Sequence, residues 1–246
     1  MSTLFISDLH LEDSQPRTTG WLLEFLNGPA RNAEAVYILG DLFEYWIGDD
    51  ALSATANEVA GALAELSGSG VPCYFMHGNR DFLLGDRYAA QAGITLVHEP
   101  LVIDLYGTPT LLLHGDSLCT DDVEYQAFRS QSRNPAWQAA ILTRSVAERL
   151  QMAQEARNAS KTHTETASMD IMDVNDLAVR EQFRKYPVER IIHGHTHRPA
   201  LHRYVLEDAR EVERVVLADW YTKSSYLSVG PNGLESVTPA SGTPRD

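Results

Sequence analysis

Two short motifs in this chain place metal-binding side chains two residues apart: Asp8-Leu9-His10 near the start and His195-Thr196-His197 near the end. In an extended segment residues i and i+2 point the same way, so each pair can reach one ion. Asp41 adds a carboxylate directly after Gly40, where the backbone can turn sharply. Asn79 offers a neutral amide oxygen and His114 an imidazole. This mixture of imidazole and carboxylate oxygen, without thiolate, suits Mn²⁺, Fe²⁺ or Zn²⁺ better than Ca²⁺. Seven candidates exceed the roughly three or four protein ligands of a single catalytic zinc. They suggest two ions sharing a bridging carboxylate. Two ions about 3.5–4 Å apart can hold a hydroxide between them and clamp a phosphoryl group. A lone histidine is more often a packed core residue. Four that end apolar runs beside two carboxylates favour metal chemistry instead. His77 and His193 read as structural, and Asp81 and Asp116 as supports behind the ligands. Asp49 and Asp50 read as capping or solvated loop residues.

The elements that must hold these residues are visible as short apolar runs. Thr3–Ser7, Ala35–Leu39, Pro72–Met76, Thr110–Leu113 and Arg190–Ile192 each lead straight into one of the candidate blocks. Continuous apolar runs of this length suit strands buried on both faces. In an open α/β sheet, sites form beyond the carboxyl ends of the strands. Residues 18–27 carry Trp21, Leu22 and Phe25 on one helix face, and residues 51–67 form an Ala-rich helix stopped by Gly68-Ser69-Gly70. The alternation predicts an α/β layered fold. Residues 201–235 read as short strands with a turn at Gly230-Pro231-Asn232-Gly233, and the tail from Thr238 as loose.

Residues 121–170 stand apart as a helical insertion, broken at Asn134-Pro135. This segment holds six basic residues (Arg129, Arg133, Arg144, Arg149, Arg157, Lys161) and seven acidic ones, while the remainder holds 14 basic and 27 acidic. The net charge of −14 disfavours bare nucleic acid as a partner, and the insertion carries almost none of that excess. It also offers a possible apolar stripe of Trp137, Ile141, Leu142, Val146 and Leu150. Length of 246 residues and 43% hydrophobic composition give a sizeable core and exclude a disordered chain. No apolar run reaches the roughly 18–20 residues that cross a bilayer. The start of the chain lacks the basic region of a signal peptide. Cys73 and Cys119, far apart, argue against a disulfide framework and point to a reducing compartment.

The blocks Asp8-Leu9-His10, Gly40-Asp41, Gly78-Asn79-Arg80-Asp81, His114-Gly115-Asp116 and Gly194-His195-Thr196-His197 follow one another in the order of the calcineurin-like metallophosphoesterase superfamily, which this sequence resembles. The resemblance implies a four-layer αββα sandwich forming a single domain over residues 1–246. It implies that Asp8, His10, Asp41 and His197 hold one metal, and Asp41, Asn79, His114 and His195 the other. Most relatives have His where this chain has Arg80. Arginine cannot surrender its proton at neutral pH, but it can clamp phosphate oxygens with two parallel hydrogen bonds. Such a site needs a good leaving group, as in a phosphoanhydride.

Ile38–Asp50, Met76–Gly85 and His114–Asp122, with the helical insertion behind them, resemble more closely the lipid-nucleotide pyrophosphatases of lipid A biosynthesis within that superfamily. That resemblance spans nearly the whole chain. It implies two Mn²⁺ and hydrolysis of a UDP-diacylglucosamine, with attack at the α-phosphorus giving UMP and the diacyl sugar 1-phosphate. It implies a monomer at the cytoplasmic face of the inner membrane. Substrate contacts fall on Asn79, Arg80, Asp122, Ser160, Thr164 and His195, with Tyr125 and Arg157 as neighbours. Ala167 stands where the family usually has Lys. On this view the stripe from Trp137 to Leu150 lines an acyl groove. Two rivals remain: a di-metal phosphodiesterase acting on a soluble nucleotide, and an inactive scaffold of the same fold.

Overall fold

The computed structural model describes residues 1–166 and 173–239, with backbone alone for 161–166. Four parallel strands form the centre of the first sheet: β1 (Thr3–Ile6), β2 (Ala35–Leu39), β3 (Cys73–Met76) and β4 (Thr95–Val97). Their edge beside β1 is extended by the antiparallel hairpin β10 (Tyr226–Gly230) and β11 (Gly233–Val237). The second sheet runs in the order β5 (Leu101–Leu105), β6 (Thr108–Leu112), β7 (Arg190–His193), β9 (Glu211–Val216), β8 (Ala200–Val205). Each of the five apolar runs is thus a strand, and 200–237 holds the short strands and the hairpin turn that its composition suggests. The short β4 and β5 carry no comparable sequence signal.

Period-two alternation sorts the strand residues between layers. Phe5, Leu39 and Met76 face Leu112, Ile192 and Val215 in the core between the sheets. Their neighbours Leu4, Ile6, Val36, Ile38 and Phe75 face outward, under α1 (Pro16–Asn27), α2 (Ala54–Gly68) and α3 (Asp86–Ala92). On the other side Leu111 and Ile191 pack against Val179 and Phe183 of α7 (Asp176–Lys185). The layers are therefore helix, sheet, sheet, helix.

The helices begin where local chemistry starts them. Pro16 opens α1, whose apolar face buries Leu22, Phe25 and Leu26. Ser53 Oγ accepts from Ala56 N at 3.0 Å, so α2 starts at Ala54, three residues later than the Ala-rich composition suggests. The insertion folds as α4 (Val123–Ser132), α5 (Pro135–Leu142) and α6 (Val146–Thr166). The break at Asn134-Pro135 is a cap: Asn134 Oδ1 accepts from Ala136 N and Trp137 N, and Pro135 is the first helical residue. Among the described residues no helix is long and apolar enough to cross a membrane.

Candidate metal centre

The seven candidate ligands sit on the loops that leave β1, β2, β3, β6 and β7. Five of them take the left-handed backbone conformation, with φ of 56° at Asp8, 51° at His10, 52° at Asp41, 66° at His195 and 54° at His197. For a residue with a Cβ this region costs about 1–2 kcal/mol, and it persists only where surrounding contacts impose it. The expectation that each i, i+2 pair converges through extended backbone is corrected here. The turns, not the strand pleat, aim the side chains. They also separate one pair: His197 Nε2 lies 3.3 Å from Asp8 Oδ1, whereas His195 Nδ1 lies 2.9 Å from Asn79 Oδ1.

Two groups result. Asp8, His10 and His197 bring one ligand atom each to within 4.8 Å of one another, as do Asp8, Asp41 and His114. His10 Nε2 is 3.4 Å from His197 Nε2. Asn79 Oδ1 is 2.9 Å from both His114 Nε2 and His195 Nδ1. Asp41 spans the groups, with Oδ2 3.9 Å from His10 Nε2 and Oδ1 3.7 Å from His114 Nε2.

The donor chemistry fits divalent cations. His114 Nδ1 donates to Leu39 O at 2.8 Å, which leaves the Nε2 lone pair turned to the Asn79 and Asp41 oxygens. Asp8 is fully buried, and its Oδ1 has no aligned hydrogen bond beyond the approach of His197 Nε2 at 3.3 Å. Buried acceptors facing one another need positive charge between them. Without an ion, histidines supply it. Burial lowers the His114 pKa, but Asp41, Asp116 and Asp8 outweigh that and raise it to about 9. Burial and the His114 charge push His195 down to about 4. Burial raises the Asp8 carboxyl, yet the His197 hydrogen bond and the His197, His114 and His10 charges hold it well below the usual range.

Supports surround the ligands. Asp81 accepts from Gly78 N and Leu42 N, each at 2.8 Å, and binds the second and third loops together. Burial and Asp41 push its carboxyl up to about 6. A Cβ on Gly78 would lie 2.0 Å from Asp41 Oδ1, so only glycine admits this approach. Asp116 Oδ2 accepts from Tyr125 Oη at 2.6 Å and lies 3.0 Å from Arg129 Nε, which ties α4 to the centre. The Tyr125 ring stacks on His195 at 5.8 Å. His193 is structural: Nδ1 donates to Gly194 O at 2.8 Å and Nε2 accepts from Arg214 at 2.9 Å. His77 likewise contacts Leu84 O at 2.6 Å. Asp49 accepts from Trp46 Nε1, Gly85 N and Tyr88 N, each at 2.9 Å, so of the two expected roles it takes the capping one, at the first turn of α3. Asp50 pairs with the buried Arg149 of α6.

Beside the centre lies a cavity of about 410 Å³. Asn79, Arg80, Tyr125, Arg157 and Ser160 are polar residues of its lining, and Phe82, Phe128, Trp137, Ile141 and Met152 supply its apolar wall. Arg80 Nη2 donates to Ser160 Oγ at 3.3 Å, and Arg80 Nε is buried without a hydrogen bond. The expected stripe is corrected: Leu142 and Val146 are both 43% exposed, and Leu150 is absent from the cavity wall. Trp137 and Ile141 of α5 are joined instead by Met152, Ala153 and Ala156 of α6, so the wall is drawn from two helices rather than from one continuous stripe. Asp122 is not on the wall either; it caps α4, accepting from Tyr125 N at 3.0 Å. Arg157 Nε lies 2.9 Å from Glu44 Oε1 and its Nη1 donates to Glu12 Oε2 at 3.2 Å. The Thr164 side chain and Ala167 lie outside the described residues.

Two residues at the centre escaped the sequence reading. Glu44, only 8% exposed, brings Oε2 to 2.9 Å from His10 Nδ1. Its one signal is an acid within the apolar run that follows Asp41. Tyr221 stacks on His10 at 5.1 Å from a region with no motif.

The calcineurin-like phosphoesterase family profile matches residues 1–199. Over 241 residues the chain is 51% identical to the UDP-2,3-diacylglucosamine hydrolase of Xanthomonas campestris pv. campestris (strain B100), covering 95% of this chain and 97% of that one. It is 51% identical over 240 residues to the UDP-2,3-diacylglucosamine hydrolase of Stenotrophomonas maltophilia (strain K279a), covering 95% and 96%. Matches of this extent reach past the strand-end loops into the insertion that walls the cavity. The chain belongs to the calcineurin-like phosphoesterases and, among them, to the family of these UDP-2,3-diacylglucosamine hydrolases.

Proposed function

We propose that this protein hydrolyses the pyrophosphate bond of UDP-2,3-diacylglucosamine to UMP and 2,3-diacylglucosamine 1-phosphate, a step of lipid A biosynthesis. One observation carries the reading. Asn79 and Arg80 belong both to the polar centre and to the rim of the apolar cavity. A substrate that is anionic at one end and acylated at the other matches that juxtaposition. Exposing an acyl chain to water costs about 0.8 kcal/mol per methylene, hence about 10 kcal/mol for a dozen. Phe82, Phe128, Trp137, Ile141 and Met152 offer the apolar cover that offsets this.

Asp8, His10, Asp41 and His197 would hold one cation, and Asp41, Asn79, His114 and His195 the other; of the ions this donor set suits, Mn²⁺, Fe²⁺ and Zn²⁺, we propose Mn²⁺. Such ions would lower the pKa of water and neutralise charge on the phosphoryl group. The chain's own residues do the rest. Arg80 donates to phosphoryl oxygens as charge builds in the transition state. Asn79, His195 and Tyr125 form the wall against which the pyrophosphate lies. Arg157 and Ser160 complete the polar rim around the sugar phosphate. No residue here needs to act as a general acid, because the departing group is a phosphate monoester. The protein works as a monomer at the cytoplasmic face of the inner membrane, peripherally.

Mass spectrometry of the products from UDP-2,3-diacylglucosamine, with and without Mn²⁺, tests the proposal. UMP and the diacyl sugar 1-phosphate should appear only with metal. Turnover of a soluble diester with none of the lipid nucleotide would give the site to the soluble-substrate rival. A protein that takes up no transition metal would favour the scaffold.

A further inference from the structure

Glu44 touches both halves of the site. Its Oε2 lies 2.9 Å from His10 Nδ1, and its Oε1 lies 2.9 Å from Arg157 Nε on α6. It is 8% exposed, in the stretch of the cavity wall that continues through Tyr45, Trp46 and Ile47. A carboxylate in such surroundings is costly unless its charge is matched. His10 Nδ1 is itself buried without an aligned hydrogen bond, so the Glu44 oxygen is the charge at its side. On the far edge of the same ring, Nε2 faces His197 Nε2 at 3.4 Å. Glu12 also pairs with Arg157, at 3.2 Å, but Glu44 is the partner of Arg157 that also reaches His10.

We propose that Glu44 is a positioning residue that registers the insertion helix α6 against the metal centre: one carboxylate oxygen fixes His10 with Nε2 turned to the ion, and the other holds Arg157. The inference rests on the proposed reading of His10 as a metal ligand. A carboxylate behind a ligating histidine sets the ring's tautomer and raises its basicity, and losing it weakens metal binding about 10- to 100-fold. The register follows from the geometry: α6 cannot shift along the cavity without pulling Arg157 off the carboxylate that orients His10.

Calorimetric Mn²⁺ titration and electron paramagnetic resonance of Glu44→Gln and Glu12→Gln, beside the unsubstituted protein, test this. Glu44→Gln should lose affinity for one of two Mn²⁺ by about 10- to 100-fold. Its spectrum should change from a coupled pair to a single ion. Hydrogen exchange in 146–160 should rise. Glu12→Gln should leave both Mn²⁺ affinities unchanged. Two tight sites in Glu44→Gln, unchanged exchange in α6, or equal metal loss in Glu12→Gln would each overturn the proposal. An unsubstituted protein that binds no Mn²⁺ would instead sink the metal reading itself. Should Glu44→Gln fail to fold, nitrogen-15 NMR of the unsubstituted, metal-free protein still decides: a neutral His10 protonated at Nε2 rather than Nδ1 would contradict the assigned role.

Discussion

Asp41 turns Oδ1 to within 3.7 Å of His114 Nε2 while its backbone φ of 52° keeps Oδ2 facing the other histidine group. A single carboxylate thereby serves both halves of the centre. Asp41→Asn keeps the shape and removes the charge. Loss of kcat/KM should exceed the roughly 100-fold typical of a mere supporting group. Steady-state kinetics and metal stoichiometry, measured together, check it; near-full activity would remove Asp41 from the bridging role.

Arg80 is expected to stabilise charge, not to deliver a proton. Arg80→Ala should lower kcat by about 100- to 1,000-fold, the cost of one transition-state donor. The shape of the pH–rate profile should stay the same, because no titrating acid is lost. A vanished alkaline limb would show that Arg80 had been acting through proton transfer.

The cavity wall separates lipid recognition from chemistry. Ile141→Asp and Met152→Asp should raise KM for the diacyl nucleotide by at least about tenfold, the effect of 1.4 kcal/mol. Hydrolysis of a small aryl phosphodiester should be unchanged. Leu142→Asp and Val146→Asp, at exposed positions, serve as controls and should behave like the unsubstituted protein. Equal tolerance at all four positions would count against an acyl site.

Hydrolysis in ¹⁸O-labelled water reports where the bond breaks. Attack at the α-phosphorus places the label in UMP. Label in the diacyl sugar 1-phosphate would reverse the assignment and move the attacked phosphorus to the cavity side of Arg80.

Removing metal should destabilise the fold. Asp8 and Asp41 are buried, and with His10, His195 and His197 they hold left-handed backbone in place. Chelation should lower Tm, and Mn²⁺ at about 100 times its Kd should restore about 2.7 kcal/mol. Calorimetry with and without chelator measures this. A Tm indifferent to Mn²⁺ would mean that the centre does not bind it in the folded state.

Much of this protein is written locally. The five apolar runs ending in Asp8, Asp41, Asn79, His114 and His195 declare both the strands and the residues at their carboxyl ends, since burial on both faces and motif spacing are properties of neighbouring residues. Ser53 and Asn134 likewise announce the helices they cap. Residue spacing did not decide how the ligands are shared; only the family resemblance implied a division, and the tertiary structure supplies its physical reason. Left-handed turns set side-chain direction independently of spacing, so His195 and His197, two residues apart, join different partners. The pairing of Arg157 with Glu44 and Glu12 joins residues more than a hundred positions apart, which no local pattern encodes. The cavity wall followed the same logic: Met152 lines it and Leu142 does not, because the placement of two separate helices, rather than hydrophobicity along one of them, selects which apolar side chains are covered.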